Sequence, residues 1–591
     1  MINSKKSTQM QIRPQKSNCV FTFSWNVDTY STLIKLPKPG KWEERALIFR
    51  PTGANIAFLL ENFPAAQWLD GTIKLVNAER ARLKEAAAAL ASKSAIIGKD
   101  SYQHRTAPYS HQQRAFIVSR NLPNYALLCE PGTGKTKIVL DTACYLYEKK
   151  KITTLIVFSV NGVHRNWIDN EIPFHIPGRC KFVTYRHSAN LNKSKVAEFE
   201  AAVNSFGKLR IFAFNFDAAT TKKGLELAQR AIKSGECLLV IDESTRIKNP
   251  DAIKTKKLTT LGKLAAYRRI LTGTPVTKGP EDLYGQFSFL SKQILGYDTF
   301  TSFKNQYCVM TTLSLGGNNL EKITGYRNLD ELVKKIEPYS FRVLKSECLD
   351  LPEKIYKRWP VELSSEQRRV YEELRKNFIA ELKGSTLTAE LAMTRILRLQ
   401  QIVCNWFPQD DGPNVTQAYK NWSSEPLAID KTNNRLNAMD DILDEVKDLP
   451  GKTIIWARFR ADLKLIQDHL GSSAVSYHGG IKENDRALAI KRFQGDNAIK
   501  YFIGNQQSAG VGLTLTAASS VVYYSNSFDY EHRAQSEDRN HRIGQVNPCI
   551  YYDIEVARTV DTKIIKALRA KKDLADLITG DPESFFMEDI K

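Results

Sequence analysis

The residues best suited to chemistry fall in two short runs. The first is LLCEPGTGKTKIVLD (127–141), an apolar strand-like stretch, a glycine-rich turn, a Lys-Thr pair and a helix-forming segment. A chain of phosphates needs backbone N–H groups clear of side chains, which Gly132 and Gly134 permit within the loop Pro131, Gly132, Thr133, Gly134. The N-terminus of the following helix adds the positive end of its dipole. Lys135 is then expected to reach the β- and γ-phosphates, and the Thr136 hydroxyl to hold Mg2+. The strict form of this loop carries Gly at position 129, where this chain has Cys129.

The second run is CLLVIDESTRIKNP (237–250), an apolar strand ending in Asp242 and Glu243. Two carboxylates are thereby set at the carboxyl edge of a sheet, where open α/β sheets bind ligands. Asp242 suits a Mg2+ ion, and Glu243 suits orienting and deprotonating an attacking water. An Asp-Glu pair alone is commonly a surface helix cap, and a GTGKT match alone can arise by chance. Both in this order within one α/β unit predict a site for ATP and Mg2+.

The elements that must hold these groups can be read from the same rows. From about residue 108, apolar strands (YALLCE, TLIVFS, KLRIFAF, CLLVIDE, RRILTG) alternate with amphipathic helices, which predicts a parallel sheet covered on both faces. A second alternation (KTIIWAR, AVSYHG, IKYFIGN, SVVYYSN, PCIYYDIE) follows a mostly helical, charged stretch. The fold class expected is α/β, two parallel-sheet lobes with helical insertions and a bridge, preceded by a small α+β module. The boundaries expected are a loose basic tail over 1–20, the small module over 21–71 and a helical linker over 72–100. The first lobe then spans 101–344, a helical bridge 345–430 and the second lobe 431–591.

With 85 Lys+Arg against 64 Asp+Glu in 591 residues, the net charge of +21 suits a polyphosphate partner, because each neutralised phosphate releases a counterion. Nine scattered cysteines without a short-spaced pair read as reduced thiols of a cytoplasm-like compartment, with no metal beyond the Mg2+ that accompanies nucleotide. No apolar run is long enough to span a membrane, and the N-terminus lacks the apolar core of a signal peptide.

DESTRIKN resembles the DEAH-like box of the Swi/Snf-type ATPases within superfamily 2, and the order of further boxes agrees from about 108 to 575. The resemblance implies two RecA-like lobes. PYSHQQRAF is similar to the adenine-reading segment, with Gln112 as its glutamine and Gln113 leaving the register open. LIVFSVNGVHRNWIDNEI looks like motif Ia, including Asn166, Trp167 and Glu171. RRILTGTPVTKGPEDLYGQFSFL resembles the motif III region, so Thr272, Gly273 and Thr274 are implied to sense nucleotide state and pass it to the DNA side. In the second lobe SAGVGLTLTAASSVVYYS is similar to motif V, implying a loop with Ser508, Gly510, Gly512 and Thr514 near both nucleotide and tracked strand. QSEDRNHRIGQ resembles motif VI, where Gln535 is a coupling residue and Arg539 and Arg542 reach across to the γ-phosphate. Three residues apart, those arginines share a face if the segment is helical.

Two positions depart from the family pattern, Thr245 for the usual His and Thr514 for the usual Asn. The implied activity is a DNA-dependent ATPase that moves along duplex or branched DNA without regard to sequence, by gripping phosphates. The alternative is a strand-separating DNA or RNA helicase. A compact build points to a monomer and to a bacterial or phage setting, with protein partners unassigned. The N-terminal module resembles the accessory domain of the annealing-helicase branch, with Lys35, Lys38, Lys41, Arg45 and Arg50 for phosphates. Trp25, Trp42 and Phe49 stand either for base stacking or for the module's own core.

Overall fold

In a computed structural model the described residues are 101–570, apart from 316–317, 385–388, 408–426 and 510–512, together with parts of 10–87. Residues 16–17, 23–26, 34, 36–40, 44–45, 50–52, 65, 70–71, 74–76 and 78–86 lie outside this set, and the expected linker helix over 72–100 falls almost wholly beyond it. The chain divides into two compact units, one running to Leu344 and the other taking the chain from Lys345 together with Pro131–Thr133.

The N-terminal module is a five-stranded sheet. Its strands are β1 (Gln11–Gln15), β2 (Asn18–Thr22), β3 (Lys41–Glu43), β4 (Ala46–Phe49) and β5 (Gln67–Trp68), in the order β3-β4-β2-β1-β5. Helices Val27–Leu33 and Gly53–Asn62 accompany them. The expected loose tail over 1–20 is corrected here. β1 and β2 pair antiparallel from Gln11↔Thr22 to Gln15↔Asn18, and Ile12, Cys19 and Phe21 enter the module's core. Basic and polar residues hid the pattern, since only every second side chain of a strand faces inward. Phe49 is in that core, which decides between its two expected roles, whereas Lys35 and Lys41 are exposed. Trp25, Lys38, Arg45 and Arg50, and the side chain of Trp42, lie outside the described residues.

The first lobe is a seven-stranded sheet. It contains β6 (Asn124–Cys129), β7 (Thr154–Ser159), β8 (Phe182–Arg186), β9 (Leu209–Asn215), β10 (Cys237–Asp242) and β11 (Tyr267–Leu271). A hairpin of β12 (Cys308–Leu315) and β13 (Asn318–Tyr326) then precedes the last strand, β14 (Ser340–Val343). The sheet order is β14-β6-β11-β10-β7-β9-β8, and the pairings are parallel. Both faces of β7 and β10 are covered, so every residue of each is buried and their sequences read as unbroken apolar runs.

The second lobe is a six-stranded parallel sheet of β15 (Lys354–Val361), β16 (Lys452–Trp456), β17 (Ala474–Tyr477), β18 (Tyr501–Gly504), β19 (Ala518–Tyr523) and β20 (Cys549–Val556). Its order is β15-β20-β19-β16-β18-β17. The expected helical bridge over 345–430 is corrected at its start. β15 pairs with β20 along its whole length, from Lys354↔Cys549 to Val361↔Val556. It is an edge strand carrying exposed Lys357 and Arg358, and this masks the apolar alternation that would have marked it. Helices Ser365–Gly384 and Ala389–Val403 follow. All nine cysteines are free thiols, eight of them buried. No described helix is long and apolar enough to cross a membrane.

Candidate nucleotide site and its coupling loops

Strand order puts the first lobe's functional loops side by side. β11 lies between β6 and β10, so the carboxyl ends of three adjacent strands carry the phosphate loop, the 272–274 loop and the Asp242–Glu243 pair. The register is tight: Leu271 pairs with both Leu127 and Asp242. No sequence period supplies this juxtaposition, because β6 and β10 are separated by three other strands in the chain.

The loop after β6 uses its glycines for backbone geometry. Gly132 and Gly134 have φ of +84° and +89°, the left-handed region where a side chain is strained. Helix α1 (Lys135–Glu148) starts directly after Gly134, and the Lys135 ammonium donates to the Cys129 carbonyl at 2.8 Å. Helix α2 (Ser110–Ser119) carries both glutamines. Gln112 is buried, its Oε1 accepts the Tyr109 N–H at 3.1 Å, and its Nε2 lies 2.2 Å from where a Cβ on Gly134 would sit. Gln113 is half-exposed.

At the end of β10, Asp242 is buried and its Oδ2 accepts a 2.9 Å hydrogen bond from the indole Nε1 of Trp167. Burial, and next the Glu243 carboxylate, push the Asp242 acid up to about 6, with Glu171 adding to the push and Lys135 opposing it. A buried carboxylate facing two others and one lysine is short of positive charge, which fits a hard divalent cation. Among the described residues no group of three His, Cys, Asp or Glu side chains could hold a metal. A cation here would thus take one or two protein oxygens and complete its shell with phosphate and water, the habit of Mg2+. Thr136 is half-buried in the first turn of α1.

Glu243 has φ of +60°, rare for a residue with a side chain, and turns the chain from β10 into the 3-10 turn Ser244–Ile247. Ser244 continues the network: its hydroxyl donates to Gln286 Oε1 at 2.7 Å, and Gln286 Nε2 donates to the carbonyls of Pro275 (2.6 Å) and Asp282 (2.9 Å). Gln286 is fully buried. Thr272, also fully buried, receives the Thr274 N–H on its hydroxyl at 3.2 Å, which tightens the loop containing Gly273. The acidic strand end and the 272–275 loop are thereby joined through one amide. Sequence reasoning passed over Gln286, although a lone Gln within the apolar helix DLYGQFSFL was a usable signal.

In the second lobe, helix α3 (Tyr530–Glu537) ends before the two arginines. The expected helical spacing of Arg539 and Arg542 is therefore corrected; residues 538–544 form turns. The two guanidinium groups still converge, for a different reason. Both donate to the Leu513 carbonyl, at 3.2 and 3.1 Å, and Arg539 Nε also donates to the Gln535 carbonyl at 2.7 Å. The chain from Leu513 onward is further tied to motif VI by Leu515 N–H to Arg539 O (2.9 Å) and by Gln545 Nε2 to Ala518 O (2.7 Å). Gln494 holds the Thr514 carbonyl at 2.9 Å, and Gln535 donates to Glu531 at 2.8 Å. Ser508 lies in the short helix Gln506–Ala509, while Gly510 and Gly512 lie outside the described residues.

Beneath this segment Arg533 is buried against Tyr523 and paired with Asp553 and with Glu537 (2.8 Å). Glu537 also accepts from Lys354 at 2.9 Å and Tyr356 at 2.7 Å. Burial works to raise the Glu537 acid, but Arg533 and Lys354 outweigh it and hold the group at about 2.

A phosphate loop, an acidic strand end and a threonine loop on adjacent strands of one parallel sheet, with a second parallel-sheet lobe after it, are the plan of a P-loop nucleoside triphosphatase of the two-lobed helicase type. Residues 102–407 match the SNF2-related domain, and residues 434–544 match the helicase conserved C-terminal domain. The chain belongs to the SNF2 family of helicase-like ATPases. Similar curated proteins include the SWI/SNF chromatin-remodeling complex subunit snf22 of Schizosaccharomyces pombe, 25% identical over 78% of this chain and 27% of that protein. The DNA annealing helicase and endonuclease ZRANB3 of Bos taurus is 25% identical over 80% of this chain and 40% of that protein. The chain thus spans well under half the length of these relatives. Among solved structures, the Sulfolobus solfataricus SWI2/SNF2 ATPase core in complex with dsDNA aligns over 83% of this chain and 97% of that one, at 21% identity and a TM-score of 0.36.

Proposed function

We propose that this chain hydrolyses ATP to move along the backbone of duplex or branched DNA. The observation that carries the reading is the edge shared by β6, β11 and β10, where Lys135, the 272–274 loop and Asp242–Glu243 stand on neighbouring strands. Pro131, Gly132, Thr133, Gly134 and Lys135 grip the triphosphate, with Gln112 packed behind the loop. Thr136 and Asp242 hold Mg2+, which when bound screens the phosphate charge and orients it for attack. Glu243 aligns the attacking water and accepts its proton. Arg539 and Arg542, gathered on the Leu513 carbonyl, supply positive charge to the γ-phosphate. Thr272, Gly273 and Thr274, linked to the strand end through Ser244 and Gln286, pass the nucleotide state to the DNA side of the first lobe. In the second lobe Ser508, Gly510, Gly512, Thr514 and Gln535 take the corresponding part.

The net charge of +21 supports a phosphate-gripping, sequence-independent mode that weakens with salt. The N-terminal module, whose sheet starts at Gln11, selects DNA structure, its exposed Lys35 offering charge to phosphates. The protein works as a monomer in a reducing cytoplasm. The test is ATPase stimulation by linear duplex, forked, four-way and single-stranded DNA, with RNA as control, alongside displacement of a triplex third strand. Stimulation by duplex and ATP-dependent triplex release are expected. Strong unwinding of long duplexes, or preference for RNA, would replace this reading with that of a strand-separating helicase.

A further inference from the structure

The segment that carries Trp167 is built in an unusual way. An α-helical turn (Val163–Asn166) passes into a π-helical turn (Trp167–Glu171) and back to an α-turn (Ile172–His175). Pro173 lacks the N–H that an α-helix would donate to Asp169, and the Ile172 N–H bonds instead to the Trp167 carbonyl, five residues back. Such π-turns are rare and concentrate at functional sites. Trp167 is 1% exposed, so its N–H must find an acceptor within the protein. The acceptor is the Asp242 carboxylate, at 2.9 Å. Among the described residues this is the sole hydrogen bond that the Asp242 carboxylate receives, and it engages Oδ2 while leaving Oδ1 without one. Asn166 on the same segment donates to Glu171 Oε1 at 3.2 Å, steadying the carboxylate that also bears on Asp242.

We propose that Trp167 is a positioning residue for the nucleotide-associated divalent cation: its indole N–H fixes the rotamer of Asp242 so that the second oxygen is presented to the metal. This rests on the reading of Asp242 as a metal ligand. A carboxylate on a single Cα–Cβ–Cγ arm has two free torsions, and ordering it in advance removes that cost from metal binding. Partners of ligand side chains of this kind are worth about 10- to 100-fold in metal affinity or activity. A ring that merely filled core volume would need no acceptor at the ligand itself.

The test uses the full chain, with Mn2+ as the probe and AMP-PNP as the nucleotide, free Mn2+ being read by electron paramagnetic resonance. Trp167→Phe keeps most of the ring and removes the N–H. It is expected to weaken Mn2+ binding about tenfold and to raise the Mg2+ concentration for half-maximal ATPase in parallel. Nucleotide affinity without metal should change far less. Substituting 3-benzothienylalanine at position 167 replaces N–H by sulfur with almost unchanged shape, and it separates the hydrogen bond from packing if the Phe variant loses stability. Unchanged Mn2+ affinity in the folded isostere, while Asp242→Asn weakens it strongly, overturns the role of Trp167 and leaves the metal site standing. Unchanged Mn2+ affinity in Asp242→Asn removes the site reading itself.

Discussion

Gly134→Ala is expected to damage nucleotide binding by an amount that the structure divides into two parts. With φ at +89°, alanine must either hold a left-handed backbone, at about 1–2 kcal/mol, or distort the loop. The new methyl would also sit 2.2 Å from Gln112 Nε2. That atom is the end of a flexible side chain, so Gln112 swings away rather than the backbone moving. Its Oε1 then leaves the Tyr109 N–H, a cap worth about 0.5–2 kcal/mol. The sum is about 1.5–4 kcal/mol, or roughly tenfold to nearly a thousandfold in affinity at 1.4 kcal/mol per decade. The assay is titration with a fluorescent ATP analogue in four proteins: parent, Gly134→Ala, Gln112→Ala and the pair. In the Gln112→Ala background the clash is absent, so Gly134→Ala should cost only its backbone share. Equal costs in both backgrounds would show that Gln112 does not bear on the loop. Parental affinity in Gly134→Ala would refute the left-handed geometry itself.

Further outcomes follow from the same geometry. Glu243→Gln should abolish ATP turnover while leaving DNA binding, read by fluorescence anisotropy, close to the parent value; equal loss of both in a folded protein counts against its role with water. Arg542→Ala should lower kcat by roughly 1,000-fold or more with little change in ATP affinity, and parental turnover would show that it does not meet the transferring phosphate. Arg533→Met leaves buried Asp553 and Glu537 short of their cation and should destabilise the second lobe by about 3–5 kcal/mol, measured by denaturant unfolding. Glu537 is held at about 2, below its unfolded value of 4.5, so its stabilising contribution is complete above that unfolded value and is lost as pH falls from there toward 2. Glu537→Gln should flatten the acid limb of unfolding in that window, and an unchanged limb would show that the pair carries no linkage. A chain beginning near residue 98 should keep duplex-stimulated ATPase but lose preference for forked over linear DNA; full preference would reduce the N-terminal module to a buttress.

The sequence by itself determined the two-lobe plan, because parallel strands buried on both faces must be apolar throughout, and ten of the strands announced themselves that way. It also carried the candidate phosphate loop and acidic pair, since the chemistry proposed for them depends on residue type at short spacing. Tertiary structure decided what depends on distant pairing. β15 was hidden by its edge position and exposed charges, and it joins its sheet through a partner far along the chain; β1, an inner strand of the small module, was hidden by its polar composition. Arg539 and Arg542 converge through a shared carbonyl rather than through helical periodicity. Gln286 and Trp167 were visible as odd residues in their segments, yet their partners Ser244 and Asp242 lie 42 and 75 residues away. A hydrogen bond is fixed by atoms within about 3 Å, and only the order of strands brings such atoms together.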